Sequence, residues 1–258
     1  MGYDIKDQIV FITGASAGIG QATARQFAAA GCHLILTARR VDRLQILAQE
    51  LTQKYHIHVH HAAIDVSRLE SIESVLNDLP ESFTNIDILV NNAGLALGVN
   101  KAHENNPEDI NTVIDVNVKG VLWLTQAIVP GMVSRQRGHV INISSIAGHE
   151  AYPGGSIYCG SKHAVNAITK STRMDLAGTS VRVTAISPGL VETEFSQVRF
   201  RGDAQRASQV YQGYEPLVAN DIADAILYAA TRPPHVQIAD MIIFPTAQAS
   251  ATIVAKKE

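Results

Sequence analysis

Tyr158 and Lys162 stand four residues apart in a stretch, Ser156 to Ala177, that reads as a helix. Their side chains therefore share one helix face, about a turn apart. A phenol with a pKa of about 10 is a poor base at neutral pH. An ammonium a few ångströms away favours the phenolate by roughly 1 to 4 kcal/mol, depending on effective dielectric, which poises it for proton transfer. Alone, such a pair is as easily surface packing. Its neighbours change that reading. Ser144 and Ser145 follow an apolar run, His139 to Ile143, and a hydroxyl there would point into the same cleft and bond a substrate oxygen. Strand alternation leaves the choice between the two serines open. Asn117 lies inside a helical stretch from Pro107 to Met132, an unfavourable interior position unless its amide bonds locally or holds a water.

A second group of residues suits a dinucleotide. Gly14, Gly18 and Gly20 sit between a short apolar run, Gln8 to Thr13, and a helical pattern, with Ser16 and Ile19 in the same turn. Such a turn lets backbone approach a pyrophosphate, and the helix N-terminus supplies N–H groups and positive dipole. The end of the second apolar run selects the cofactor. An NAD site places a carboxylate there, whereas this chain has Arg39 and Arg40 and no acid until Asp42. Two guanidiniums suit a 2′-phosphate, which points to NADP. Asp65-Val66, Asn91-Asn92-Ala93-Gly94 and the segment Pro188-Gly189-Leu190-Val191-Glu192-Thr193 follow later strands and would line the same edge. Asp65 and Val66 would face adenine, and Asn92, Ala93 and Gly94 would pass under the ribose. Pro188, Gly189, Val191 and Thr193 would reach the nicotinamide carboxamide.

The elements that must position these groups alternate. Strands are expected at Gln8–Thr13, His33–Thr37, His56–Ile64, Ile86–Val90, His139–Ile143, Val181–Ile186 and Asp240–Phe244. Helices are expected between them: one ending at Gly31, one over Val41–Leu51, one capped by Ser67, the long stretch from Pro107, Ser156–Ala177, and one capped by Asn220. Continuous apolar strands separated by helices imply a parallel sheet covered on both faces. The chain thus reads as a single α/β domain over residues 1–258, doubly wound. The polar segment 192–217 is the exception and reads as a substrate lid.

Composition narrows the function further. The chain has 258 residues, 46% of them hydrophobic, and a net charge of −3, which gives no footprint for nucleic acid or an anionic membrane. No run of 18 apolar residues is present, so no membrane span is expected. Two cysteines, Cys32 and Cys159, make no disulfide framework, and with no secretory signal at the N-terminus a cytoplasmic protein is expected. Charged residues are only 17%, which agrees with surface covered by other subunits. His56, His58 and His60 would share one strand face, but without local Cys or carboxylate they read as a polar face, and no metal is expected.

Taken together, Thr13-Gly-Ala-Ser-Ala-Gly-Ile-Gly20, Asn91-Asn-Ala-Gly94, Asn117, Ser145 and Tyr158-x-x-x-Lys162 resemble the short-chain dehydrogenase/reductases. The 13-residue step from Ser145 to Tyr158 matches that pattern and selects Ser145. The resemblance implies a seven-stranded Rossmann-type sheet and a catalytic tetrad. In it Tyr158 would be the acid/base and Ser145 would orient the substrate. Lys162 would bind nicotinamide ribose and acidify the tyrosine, and Asn117 would hold a water. It also implies a homodimer or homotetramer. Ile88 to Gly98 and Ser187 to Asp203 resemble more narrowly the NADP-dependent 3-hydroxy acid dehydrogenases, which act on L-allo-threonine, serine and related short acids and reduce malonic semialdehyde. A short acid needs a cation near the reacting carbon, and the lid offers Arg199 and Arg201. The alternatives are a carbonyl reductase of bulkier ketones and a catalytically silent NADP-binding sensor, for which a complete tetrad has no use.

Overall fold

The computed structural model describes residues 2–256. Six strands come in succession: β1 (Ile9–Thr13), β2 (His33–Ala38), β3 (Val59–Ala63), β4 (Ile88–Asn91), β5 (Gly138–Ile143) and β6 (Val181–Pro188). A short two-stranded pair follows, β7 (Val191–Glu192) with β8 (Leu217–Val218), and β9 (Asp240–Ile243) completes the main sheet. The seven-stranded order is β3-β2-β1-β4-β5-β6-β9, and every neighbouring pair is parallel. Winding reverses between β1 and β4. That switch point opens a crevice at the carboxyl ends of the strands.

The helices are α1 (Gly18–Ala29), α2 (Val41–Tyr55), α3 (Leu69–Asn77), α4 (Pro107–Ile114), α5 (Gly120–Ser134), α6 (Ser156–Asp175), α7 (Phe195–Arg199), α8 (Ala204–Gln209) and α9 (Ala219–Ala230). Alternate strand residues serve opposite faces. Val10, Ile12, Leu34, Leu36 and Val90 pack under Phe27 of α1, Leu44 and Leu47 of α2, and Ile222 and Ile226 of α9. Ile9, Phe11, Ile35, Leu89 and Val140 pack under Ile72 of α3 and Leu124, Ile128 and Met132 of α5. A sheet buried on both faces is why its strands read as unbroken apolar runs.

Several boundaries differ from the sequence expectations, each for a local reason. His56 caps α2 in the left-handed region, φ 56°, so the third strand starts only at Val59 and the expected histidine face shortens. The rings of His33 and His58 pack 4.8 Å apart, and among the described residues no three His, Cys, Asp or Glu side chains converge as metal ligands. Ser67 does not cap α3. Its N–H and hydroxyl both bond Asp65 Oδ1, and the helix begins at Leu69. Asn220 lies inside α9, whose first turn is closed by Asp221 accepting from the Val218 N–H.

The long helix from Pro107 is interrupted by a π-helical turn, Asp115–Lys119, which carries Asn117. Pro107–Ser134 is long enough, and an 18-residue window in it apolar enough, to cross a membrane by length and composition alone. No unbroken run of 18 apolar residues marks it in the sequence. In the fold Leu124, Ile128, Val129 and Met132 cover the sheet, while Ile110 and Leu122 stay exposed. The segment 192–217, expected as a lid, is more ordered than a loop: β7, α7, α8 and β8 occupy it, tied by Tyr211 Oη, which bonds Ser196 Oγ and donates to the Val191 carbonyl.

Candidate active site

A cleft of about 500 Å³ runs along the carboxyl ends of β1, β2, β4, β5 and β6. Its floor at the switch point is stitched by polar side chains. Thr13 Oγ1 accepts from the N–H groups of Asn92 and Ala93, and Asn92 Nδ2 donates to the Thr13 carbonyl. Gly14 holds φ +65°, and a Cβ there would lie 2.8 Å from Asn92 Nδ2, so only glycine lets the turn close onto β4. No side chain caps α1 and no acid stands in its first turn. The amides of that turn are thus available to an anion. A pyrophosphate fits this cradle.

The adenosine end is cationic. Arg39 lines the cleft and, among the described residues, pairs with no carboxylate. Arg40 donates from Nε and Nη2 to Ser16 Oγ at 3.3 and 3.2 Å, and from Nη1 to Glu194 at 2.8 Å. Asp65 and Val66 close the far wall, with Asp65 Oδ1 engaged by Ser67. Guanidiniums where an NAD site has a carboxylate fit a 2′-phosphate.

The chemical end gathers on α6 and the strand ends. Lys162 is buried and its Nζ donates to the Ile143 carbonyl at 2.8 Å. Burial pulls its pKa down to about 8. Burial also pushes the Tyr158 phenol up to about 12, against the opposing charge of Arg199 and the hydroxyl of Ser145. The cation expected to acidify Tyr158 was Lys162. Its Nζ lies 5.8 Å from the ring centroid, whereas the Arg199 guanidinium carbon lies 5.0 Å from it. Arg199 is the cation that offsets burial there. Ser145 Oγ accepts from the Ala147 N–H in the turn after β5, while Ser144 Oγ turns toward the Lys162 carbonyl on α6.

Most residues expected from sequence line this one cleft: Gly14, Ser16, Gly18, Ile19, Ala93, Gly94, Pro188, Gly189, Val191 and Thr193, with those just described. Three do not. Gly20 packs behind the turn, where a Cβ would sit 2.4 Å from the Gly14 carbonyl oxygen. Asn117 is buried beneath the floor, neither exposed nor open to the cleft. Its Oδ1 accepts from Leu95 N–H, and its Nδ2 donates to Leu95 O and Ser161 Oγ. The amide therefore clamps the loop after β4. Arg201 points away and pairs through Nη2 with both oxygens of the nearly buried Asp109 on α4. It ties the segment 192–217 to α4, outside the cleft lining.

Sequence reasoning missed Tyr152, Phe195 and Glu194. Tyr152 Oη accepts from Arg199 Nη2 at 3.1 Å, and the Arg199 guanidinium lies over the rings of both Tyr158 and Phe195. Among the described residues Arg199 Nε is buried without a partner. Tyr152 lies in a Pro-Gly-Gly loop with no periodic signal, and only an aromatic beside a turn marked it.

Comparison with known proteins agrees with this geometry. A family model described as short chain dehydrogenase matches residues 8–204. The chain is 46% identical over 250 residues to the NADP-dependent 3-hydroxy acid dehydrogenase of Schizosaccharomyces pombe, covering 96% of each. It is 45% identical over 242 residues to sulfoacetaldehyde reductase 2 of Chromohalobacter salexigens, covering 93% of this chain and 95% of the relative. A solved structure of serine dehydrogenase in closed form with NADP+ superposes with a TM-score of 0.90 at 44% identity. That match covers 97% of this chain and all of the other, 100%.

Proposed function

This chain belongs to the short-chain dehydrogenase family and is an NADP-dependent oxidoreductase acting on hydroxyl groups. On that premise we propose that it transfers a hydride between NADP and the 3-hydroxyl of a short 3-hydroxy acid, of the L-allo-threonine, serine or 3-hydroxypropionate type. The observation that carries the substrate class is Arg199. It is a guanidinium held against the reacting phenol, with no carboxylate partner among the described residues and one N–H unmet. A carboxylate seated on it would place the carbon two atoms away at Tyr158. The relatives' substrate names fit the same geometry, since a 3-hydroxy acid and sulfoacetaldehyde each put one carbon between an acid group and the reacting carbon.

The chain's own residues divide the work. Gly14, Ser16, Gly18, Arg39 and Arg40 would hold the dinucleotide, with Lys162 near its ribose. Bound NADP supplies the hydride acceptor for oxidation, or the donor when reduced. Ser145 orients the substrate oxygen, and Tyr158 Oη takes its proton in oxidation and returns it in reduction. A phenol kept protonated by burial is suited to donation. Semialdehyde reduction therefore runs best at neutral pH, and alcohol oxidation rises toward alkaline pH. Lid closure over the site excludes water and presents Arg199. We place the reaction in the cytoplasm, in keeping with the free buried thiols of Cys32 and Cys159, and in a homo-oligomer, which light scattering would test.

The test is turnover. With NADP and L-allo-threonine, serine, 3-hydroxypropionate or 3-hydroxyisobutyrate, the reduced-nicotinamide absorbance should rise. Sulfoacetaldehyde and malonic semialdehyde should oxidise NADPH. Turnover of aromatic ketones with none of the short acids would overturn the proposal.

A further inference from the structure

Glu194 belongs to the lid yet reaches the opposite end of the cleft. One carboxylate oxygen accepts from Arg40 Nη1 at 2.8 Å and the other from Arg43 Nη1 at 2.7 Å. The two guanidiniums, Arg43 foremost, hold its carboxyl below the usual range. One residue earlier, Thr193 lies 3.3 Å from where a Cβ on Gly18 would stand, so the lid root crosses the glycine turn here. Five residues on, Arg199 stands over Tyr158.

The use made of Arg40 is uneven. Its Nε and Nη2, the edge that grips an oxyanion with two parallel bonds, are both directed at one hydroxyl, Ser16 Oγ, at 3.3 and 3.2 Å. Its Nη1 alone holds Glu194. A 2′-phosphate and Glu194 therefore take different edges of the same guanidinium and do not compete.

Resting on the NADP reading, we propose that Glu194 is a positioning residue that couples the cofactor's 2′-phosphate to lid closure. Phosphate on the Nε/Nη2 edge fixes the guanidinium plane and so holds Nη1 toward Glu194. The lid then stays shut over NADP and not over NAD. Discrimination between the cofactors thus resides partly in retention, outside the phosphate contacts themselves.

The test compares NADPH and NADH release from the intact enzyme and from Glu194→Gln, followed by nicotinamide fluorescence in stopped flow. Loss of these two half-exposed ion pairs should speed NADPH release about fivefold and leave NADH release within about twofold. Equal acceleration of both cofactors, or no change for NADPH, overturns the coupling. Arg43→Gln, which leaves Arg40 intact, should act in the same direction and serves if Glu194→Gln fails to fold. A second readout needs no turnover: 2′,5′-ADP should slow amide exchange in residues 195–199 of the wild type, and 5′-AMP should not. Protection by both nucleotides, or its persistence in Glu194→Gln, contradicts the proposal. Failure to prefer NADPH over NADH in the unmodified enzyme would instead sink the cofactor reading.

Discussion

The two ends of the cleft are built differently. Under the dinucleotide, the surface is backbone and short buried side chains: Gly14 at positive φ, Thr13 and Asn92 locking β1 to β4, and Asn117 clamping Leu95. Over the substrate, it is long side chains on a short-helix lid. Arg199 rests on two aromatic rings, Arg201 holds Asp109, and Glu194 reaches two arginines. The first region is fixed by main-chain geometry, so it serves any bearer of a pyrophosphate. The second is held by ion pairs that are partly exposed and individually weak, which suits the closing movement proposed for it.

That contrast can be broken at several points. Tyr158→Phe removes the proposed proton carrier without disturbing the backbone cradle. Turnover should fall by about a hundred- to ten-thousand-fold while NADPH affinity stays within a few-fold. Stopped-flow rates and a fluorescence titration check this, and retention of more than about a tenth of the activity would refute the acid/base role. Replacing Arg39 and Arg40 by Ala should raise the KM for NADP by about ten- to hundredfold and that for NAD far less. Equal changes would show that the two guanidiniums do not select the cofactor.

The smallest expected effect lies in stability. Lys162 has a pKa of about 8 in the folded protein against an ordinary 10.5. Below about 8 both states hold the proton, and the full cost of burying the ammonium is present. Between the two values only the unfolded chain binds it, so stability rises with pH. Measured against Lys162→Met, whose side chain does not titrate, the wild-type Tm should therefore gain across that window. A flat difference would show that Lys162 is not desolvated.

The same contrast explains what could be read in advance. The sheet, its winding and the cofactor cradle follow from local signals: apolar runs of strand length, glycines between strand and helix, and arginines where an acid would bind NAD. Helical spacing puts Tyr158 and Lys162 on one face, but they became legible as a site only with Ser145 and the glycine turn beside them. The lid was legible only as an interruption. Nothing in its sequence distinguishes Arg199 from Arg201, and only the fold shows one over Tyr158 and the other on Asp109. Asn117 was recognisable as a misfit in a helix. Its place in a π turn, and its grip on Leu95, depend on a loop 22 residues away. At Ser67 the cap fails because Asp65 takes the hydroxyl, and at Asn220 because the helix starts one residue earlier, its first turn closed by Asp221 on the Val218 N–H.

The claim that an anion-bearing substrate is anchored by Arg199 beside the reacting phenol is tested most directly by one ratio. It is kcat/KM for 3-hydroxypropionate over kcat/KM for 1-propanol, in the wild type and in Arg199→Met. Losing a charge-assisted anchor should collapse that ratio by about two orders of magnitude, whatever happens to the phenol's acidity, which both substrates share. A ratio unchanged by the substitution would contradict the account.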